Sequence, residues 1–207
     1  MDVLSEEALA SAVDATFDPD ALVWVSARRS YGTTRAALFT LAPSPDAELP
    51  LLLRVPSATV VWPVVTFDRD RIPPSCRNPN ATMHMHLRVD PATLEFVRRV
   101  EARCHARQED VRRGSVPANY RHRIYPHSVI KTHAGAGAEE YVTVCAKPAA
   151  ALAVDAATGR LLDLEKDGPR MAGARARDVL LRFFGTWESP NMQGVAWTFA
   201  SGMFDFP

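Results

Sequence analysis

The chain has 207 residues, 47% hydrophobic and 23% charged, which is enough apolar material for a core and argues against global disorder. It has no run of 18 apolar residues, and its acidic start, MDVLSEEALASAVDATFD, lacks a basic n-region, so neither a membrane span nor a signal peptide is expected. The formal net charge is zero but unevenly spread: residues 1–50 carry 3 basic and 8 acidic side chains, residues 51–134 carry 14 and 7, and residues 135–207 carry 7 and 9.

The neutral total hides a basic middle, and nucleic-acid binding needs only a local positive field. The rival explanation is that the excess is the solvated face of one helix. Cys76, Cys104 and Cys145 are odd in number and scattered, as expected of free thiols in a reducing, intracellular compartment.

In chain order, residues 5–15 read as a short helix capped by Ser5, with Glu6 and Glu7 at its positive end. Residues 21–26 and 35–41 read as two strands able to pair as a hairpin, followed by a Pro-rich loop to Pro50. Residues 51–55 and 59–67 are expected strands, separated or bent at Pro56, and Pro63 marks an edge or bulge in the second. In residues 82–89 alternation puts Met83, Met85, Leu87 and Val89 on one face, with His84, His86 and Arg88 on the other.

Asp90-Pro91 opens a helix that Gly114 ends. Leu94, Val97, Glu101, Cys104, Gln108 and Val111 form its inner stripe, widened by Phe96, Val100 and Ala102. Arg98, Arg99, Arg103, Arg107, Arg112 and Arg113 lie opposite. Residues 115–137 form a basic, aromatic loop ending in a flexible AGAGA tract, and residues 140–147, 151–155 and 161–164 are strands. Last comes a hairpin, residues 179–184 and 195–199, with a Gly/Ser/Pro/Asn turn between them. Trp187 is expected at its solvent edge, and Trp197 and Phe184 in the core.

Four segments carry a resemblance. They are the GTW–turn–GVAW hairpin with its leading strand, the strand-Pro-strand run of residues 51–71, the helix after Asp90 followed by Tyr125-Pro126, and residues 141–148. Over roughly residues 51–204 this order resembles the single-stranded-DNA-binding-like proteins of large nucleocytoplasmic DNA viruses. Pro63 stands where that pattern has a glycine, and residues 1–50 have no counterpart in it. The resemblance implies an OB fold and sequence-tolerant coating of single strands in viral DNA replication, at a host nuclear or cytoplasmic replication site or packaged in the virion.

About nine short strands and one substantial helix independently point to a mainly β, α+β chain. The expected fold is an OB-like antiparallel β-barrel over residues 51–207, preceded by an acidic N-terminal extension over residues 1–50. That extension is a candidate for self-association or for mimicking nucleic acid.

Zinc has little support: His84, His86, Cys76, Cys104 and His105 lack finger spacing. No nucleophile elbow, phosphate loop or carboxylate pair points to an enzyme, so no metal, cofactor or catalysis is expected. A basic groove with stacking rings is better supported, since unpaired strands are held by cations along the backbone and aromatic faces under the bases. The expected contacts are Arg54, Trp62, Phe67, His84, His86, Arg88, Tyr120, Arg121, Arg123, Tyr125, Lys131, Lys147, Arg177, Arg182 and Trp187. Their partner would be single-stranded DNA, or RNA. The alternative is a virion structural or scaffold protein that binds no nucleic acid.

Overall fold

The computed structural model describes residues 9–26, 29–31, 34–36, 39–45, 51–66, 83–115, 125–133, 138–148, 150–189 and 192–207. Its strands are β1 (Val23–Ser26), β2 (Arg29–Tyr31), β3 (Thr34–Ala36), β4 (Phe39–Ala42), β5 (Leu52–Val60), β6 (Val65–Thr66), β7 (Met83–Val89), β8 (Tyr125–His127), β9 (Ile130–His133), β10 (Glu139–Ala146), β11 (Leu152–Asp155), β12 (Arg175–Glu188) and β13 (Met192–Asp205). The helices are α1 (Pro91–Ser115) and a single turn, α2 (Leu164–Asp167).

Five strands close a ring. β5 pairs with β7, β7 with β10, β10 with β13, β13 with β12, and β12 returns to β5. Numbered along the chain, the order is first-second-third-fifth-fourth. The third and fifth strands run parallel and the other neighbours antiparallel. This is an OB-like Greek-key barrel, which removes the sheet edges. β2, β3, β6, β8, β9 and β11 extend its wall, while β1 and β4 form a separate antiparallel pair.

Period-two patterning builds the interior. Met83, Met85 and Leu87 of β7 are buried, as are Val142, Val144 and Ala146 of β10 and Leu181 and Phe183 of β12. Trp197 is 0% exposed with its ring 5.1 Å from Phe183, so the expected core indole is in place. Phe184, expected beside it, is half-buried on the outer side. A register shift between Phe183 and Gly185 resets the alternation there, and Gly185 takes a φ of 128° that a side chain would resist. A second shift lies between Arg177 and Leu180, where Asp178 has φ 51°. Asp178 faces Pro56, the residue between Val55 and Ser57 in the paired register. Pro56 has no N–H to donate, so an irregular partner costs little there.

Helix α1 begins as its sequence dictates: Asp90 accepts the Thr93 N–H at 2.9 Å, and Pro91 takes the first position. Phe96, Val97, Val100, Glu101, Cys104 and Gln108 are buried, but Ala102 is exposed and Val111 is 40% exposed. The buried Glu101 carboxylate accepts the Val129 N–H at 2.8 Å and the Ser128 hydroxyl at 2.7 Å. It thereby fixes the bend between β8 and β9, in a stretch expected to be loop.

Other expectations are corrected by pairing. The N-terminal helix does not extend to Ala15, because Val13 bridges β5 at Leu53. β5 runs unbroken through Pro56, and the interruption falls at Trp62-Pro63 instead. The first expected strand, as β1, pairs with β4, which holds the end of the second; the start of the second, Arg35 and Ala36, belongs instead to β3 and pairs with β2. Residues 161–164 are not a strand: Leu161 makes one bridge to Val154, and Asp163 caps α2.

Candidate nucleic-acid interface

Residues directly opposite on neighbouring strands share a face, so register maps the outside of the barrel. His86 stands opposite Thr143, with Nδ1 and Oγ1 3.1 Å apart. His84 stands opposite Cys145, Cys145 opposite Thr198, and Thr198 opposite Arg182. This row crosses four strands. Tyr141 stands opposite Lys131 and Glu139 opposite His133. Lys147, two residues beyond Cys145, lies with Nζ 6.0 Å from the centre of the Phe184 ring. The outer face of β7, β10 and their neighbours thus holds His84, His86, Arg88, Tyr141, Lys131, Lys147 and Arg182 together.

Two ring pairs occupy this face. His86 meets Tyr141 edge-on at 5.4 Å, and Trp62, 40% exposed, lies 5.1 Å from His133. Trp62, Arg88, His133, Glu139 and Tyr141 line a small cavity of about 150 Å³, where Arg88 bridges Glu139 at 3.2 Å. Burial holds the His84 pKa below the usual histidine value. Burial and the neighbouring His84 charge do the same for His86. Burial thus disfavours the charged form of both rings, which suits them to stacking on a base better than to pairing with phosphate.

The remaining expected contacts are more scattered. Arg54 donates to the Leu9 carbonyl at 2.8 Å. Tyr125 is 55% exposed on β8, away from the ring pairs in the pairing order, and Arg177 bridges Asp205 at 2.9 Å near the chain end. Phe67, Tyr120, Arg121 and Arg123 lie outside the described residues. Trp187 is not a free platform. It is half-buried, its indole N–H donates to the Val195 carbonyl at 3.1 Å, and its ring covers Gly194 so closely that a Cβ there would lie 2.8 Å from it. His127 packs on it at 5.7 Å.

The arginines of α1 are occupied. Arg98 bridges Glu95 at 2.7 Å and Glu140 at 3.0 Å, and Arg99 bridges Asp18 at 2.7 Å and Asp20 at 2.6 Å. Arg103 donates to the Pro19 carbonyl and lies over Trp24, while Arg107 lies over Phe39. Part of the basic excess of the middle segment is thus committed within the fold, with Arg99 held by the acidic N-terminal residues Asp18 and Asp20. Burial pushes the Cys104 thiol up to about 12 and raises that of Cys145, which disfavours the reactive thiolate in both. Among the described residues no three His, Cys, Asp or Glu side chains converge as a metal site, and no helix is long and apolar enough to cross a membrane.

Sequence reasoning missed His133, Tyr141 and Phe184 on the outer face, and Arg175 beside it. Alternation through residues 139–146 carries the signal for Tyr141, since Val142, Val144 and Ala146 are apolar and Tyr141, Thr143 and Cys145 must face the other way.

No family model and no curated protein matches the chain. Among solved structures it is similar to a single-stranded DNA-binding protein from bacteriophage Enc34 (a C-terminal truncation). The TM-score is 0.43 and the identity 8%, over 91% of this chain and 96% of that one. At that score and identity the likeness adds nothing to the barrel's own strand pairings.

Proposed function

We propose that the chain is a non-enzymatic binder of single-stranded nucleic acid, DNA first and RNA second, that coats strands in a sequence-tolerant way. The observation that carries this reading is the outer face of β7 and β10, where the Trp62–His133 and His86–Tyr141 ring pairs lie beside Arg88 and Lys131. Every base has a π-face, so such rings accept any sequence while cations follow the backbone. In an OB barrel the second and third strands form the oligonucleotide face, and here these are β7 and β10. A role in viral DNA replication follows from the resemblance of residues 51–204, with residues 1–50 as an extension serving self-association.

The test is titration with oligothymidylate, followed by tryptophan fluorescence and repeated at rising salt. Affinity falls with a slope of about −0.7 per phosphate contact. Trp62→Ala weakens binding by about one stack, ~1–3 kcal/mol, with an unchanged melting temperature, since the ring is 40% exposed. Equal affinity for duplex, or no binding at low salt, ends the reading. The alternative, a virion structural protein, draws support from the occupied arginines of α1 and expects no salt-sensitive binding.

A further inference from the structure

Next to the aromatic face lies an open cleft of about 710 Å³, lined by Ser57, Thr59, Arg88, Arg175, Arg177 and Asp205 among others. Register orders its wall. Thr59 of β5 stands opposite Arg88 of β7 on one side and opposite Arg175 of β12 on the other, and Ser57 stands opposite Arg177. Neighbouring strands are ~4.8 Å apart, so the Arg88 and Arg175 backbones stand about 10 Å apart on one face. That spacing lets them serve separate phosphates of one strand.

The charges in the cleft are unequally committed. Arg177 holds Asp205, and Arg88 holds Glu139 through a solvent-exposed pair. The Asp90 carboxylate, also in the cleft, is taken by the Thr93 N–H and hydroxyl. Arg175 is exposed and makes no ion pair among the described residues. Exposed pairs are weak, so a phosphate can draw Arg88 from Glu139. Arg88 lines both this cleft and the aromatic cavity, so its side chain forms part of the wall of each.

Resting on the proposed function, we infer that the phosphates of a bound strand leave the aromatic face at Arg88 and run along the row Arg88–Thr59–Arg175. This track crosses the first and fourth strands of the barrel and extends the footprint beyond the second and third.

Full-length protein and its Arg175→Ala, Arg175→Lys and Trp62→Ala variants are titrated with thymidylate oligomers of about 4 and about 16 nucleotides, the range that one OB barrel covers. Arg175→Ala weakens the longer oligomer about tenfold at low salt and flattens its salt slope by about 0.7. It leaves the short one and the melting temperature unchanged. Arg175→Lys keeps most of the affinity, and Trp62→Ala weakens both lengths. Unchanged affinity and slope for Arg175→Ala on the longer oligomer overturn the track and leave the proposed function standing. Equal weakening on both lengths also overturns it, by placing Arg175 inside the aromatic site. If the parent protein binds neither oligomer while folded, the proposed function fails and the track with it.

Discussion

On α1, Arg98 and Arg99 each hold two carboxylates and Arg103 holds a backbone carbonyl. On the outer barrel wall, Arg175 and Arg182 hold no carboxylate among the described residues, and Arg88 and Arg177 hold one each. Both surfaces are rich in arginine in the sequence. One is a seam that fastens the turn at residues 18–20 and Trp24 against the helix, and the other is open to an anion. The number of cations on an element therefore says little about its field, because the partners decide what is left over. The same contrast holds for indoles: Trp197 is core, Trp187 is folded over Gly194, and Trp62 meets solvent.

The largest effect that tests the contrast comes from the indoles. Trp197→Ala empties a site that is 0% exposed and is expected to cost about 3–5 kcal/mol. Trp187→Ala removes a half-buried ring and its hydrogen bond to Val195, for about 2 kcal/mol. Neither changes oligonucleotide affinity in protein that remains folded, whereas Trp62→Ala does the reverse. Denaturant melts and titrations on the three variants decide the matter. An affinity loss for Trp187→Ala at unchanged stability would return the hairpin to the binding surface.

Glu101 tests a second fastening of α1, to the bend between β8 and β9. Burial raises its pKa, but His105 beside it and the hydrogen bonds from Ser128 and the Val129 N–H outweigh that and hold the carboxyl below the usual glutamate value. A folded-state pKa below the unfolded one contributes stability above the unfolded value, near pH ~4.3. That contribution is lost as pH falls through the folded value. Glu101→Gln gives up a buried, doubly bonded charge and is expected to cost about 1–3 kcal/mol at pH 7. The gap to the parent should narrow below about pH 4, read as melting temperature against pH. A gap independent of pH would mean that the carboxylate's charge contributes nothing.

What the sequence displayed was local. Alternation in residues 83–89 and the Asp90-Pro91 cap led directly to β7 and α1, because one strand or one helix turn contains the whole signal. The ring closure did not show itself, since the parallel contact of β10 with β13 joins Cys145 to Thr198, 53 positions on. The choice between Phe183 and Phe184 for the core was hidden for a similar reason. Alternation sets parity only as far as the next bulge, and the shift at Gly185 lies one residue away. The inner stripe of α1 marked Glu101 as buried, but its partners Ser128 and Val129 lie in a stretch that reads as loop. The candidate site was legible in its residue types, such as Trp62, His84, His86 and Arg88, and illegible in its spending of charge. Arg99 and its partners Asp18 and Asp20 are about 80 positions apart.

Arg99 provides the smallest and most direct trial of the contrast. Counted as charge, it is one more cation in the basic middle, and its loss should weaken nucleic-acid binding and flatten the salt slope by about 0.7. Read from geometry, its guanidinium is held between Asp18 and Asp20 at 2.7 and 2.6 Å, both through Nη2, so two carboxylates already offset its charge before any phosphate approaches. Arg99→Ala is therefore expected to leave oligothymidylate affinity and its salt slope unchanged. All three side chains are solvent-exposed, so the melting temperature should move little. Asp18→Ala with Asp20→Ala runs the trial the other way by freeing Arg99. If α1 faces away from the strand, affinity still does not change, and if it lines the path, affinity rises. A loss in Arg99→Ala as large as that expected for Arg175→Ala would make the helix part of the binding surface and erase the distinction between the two faces.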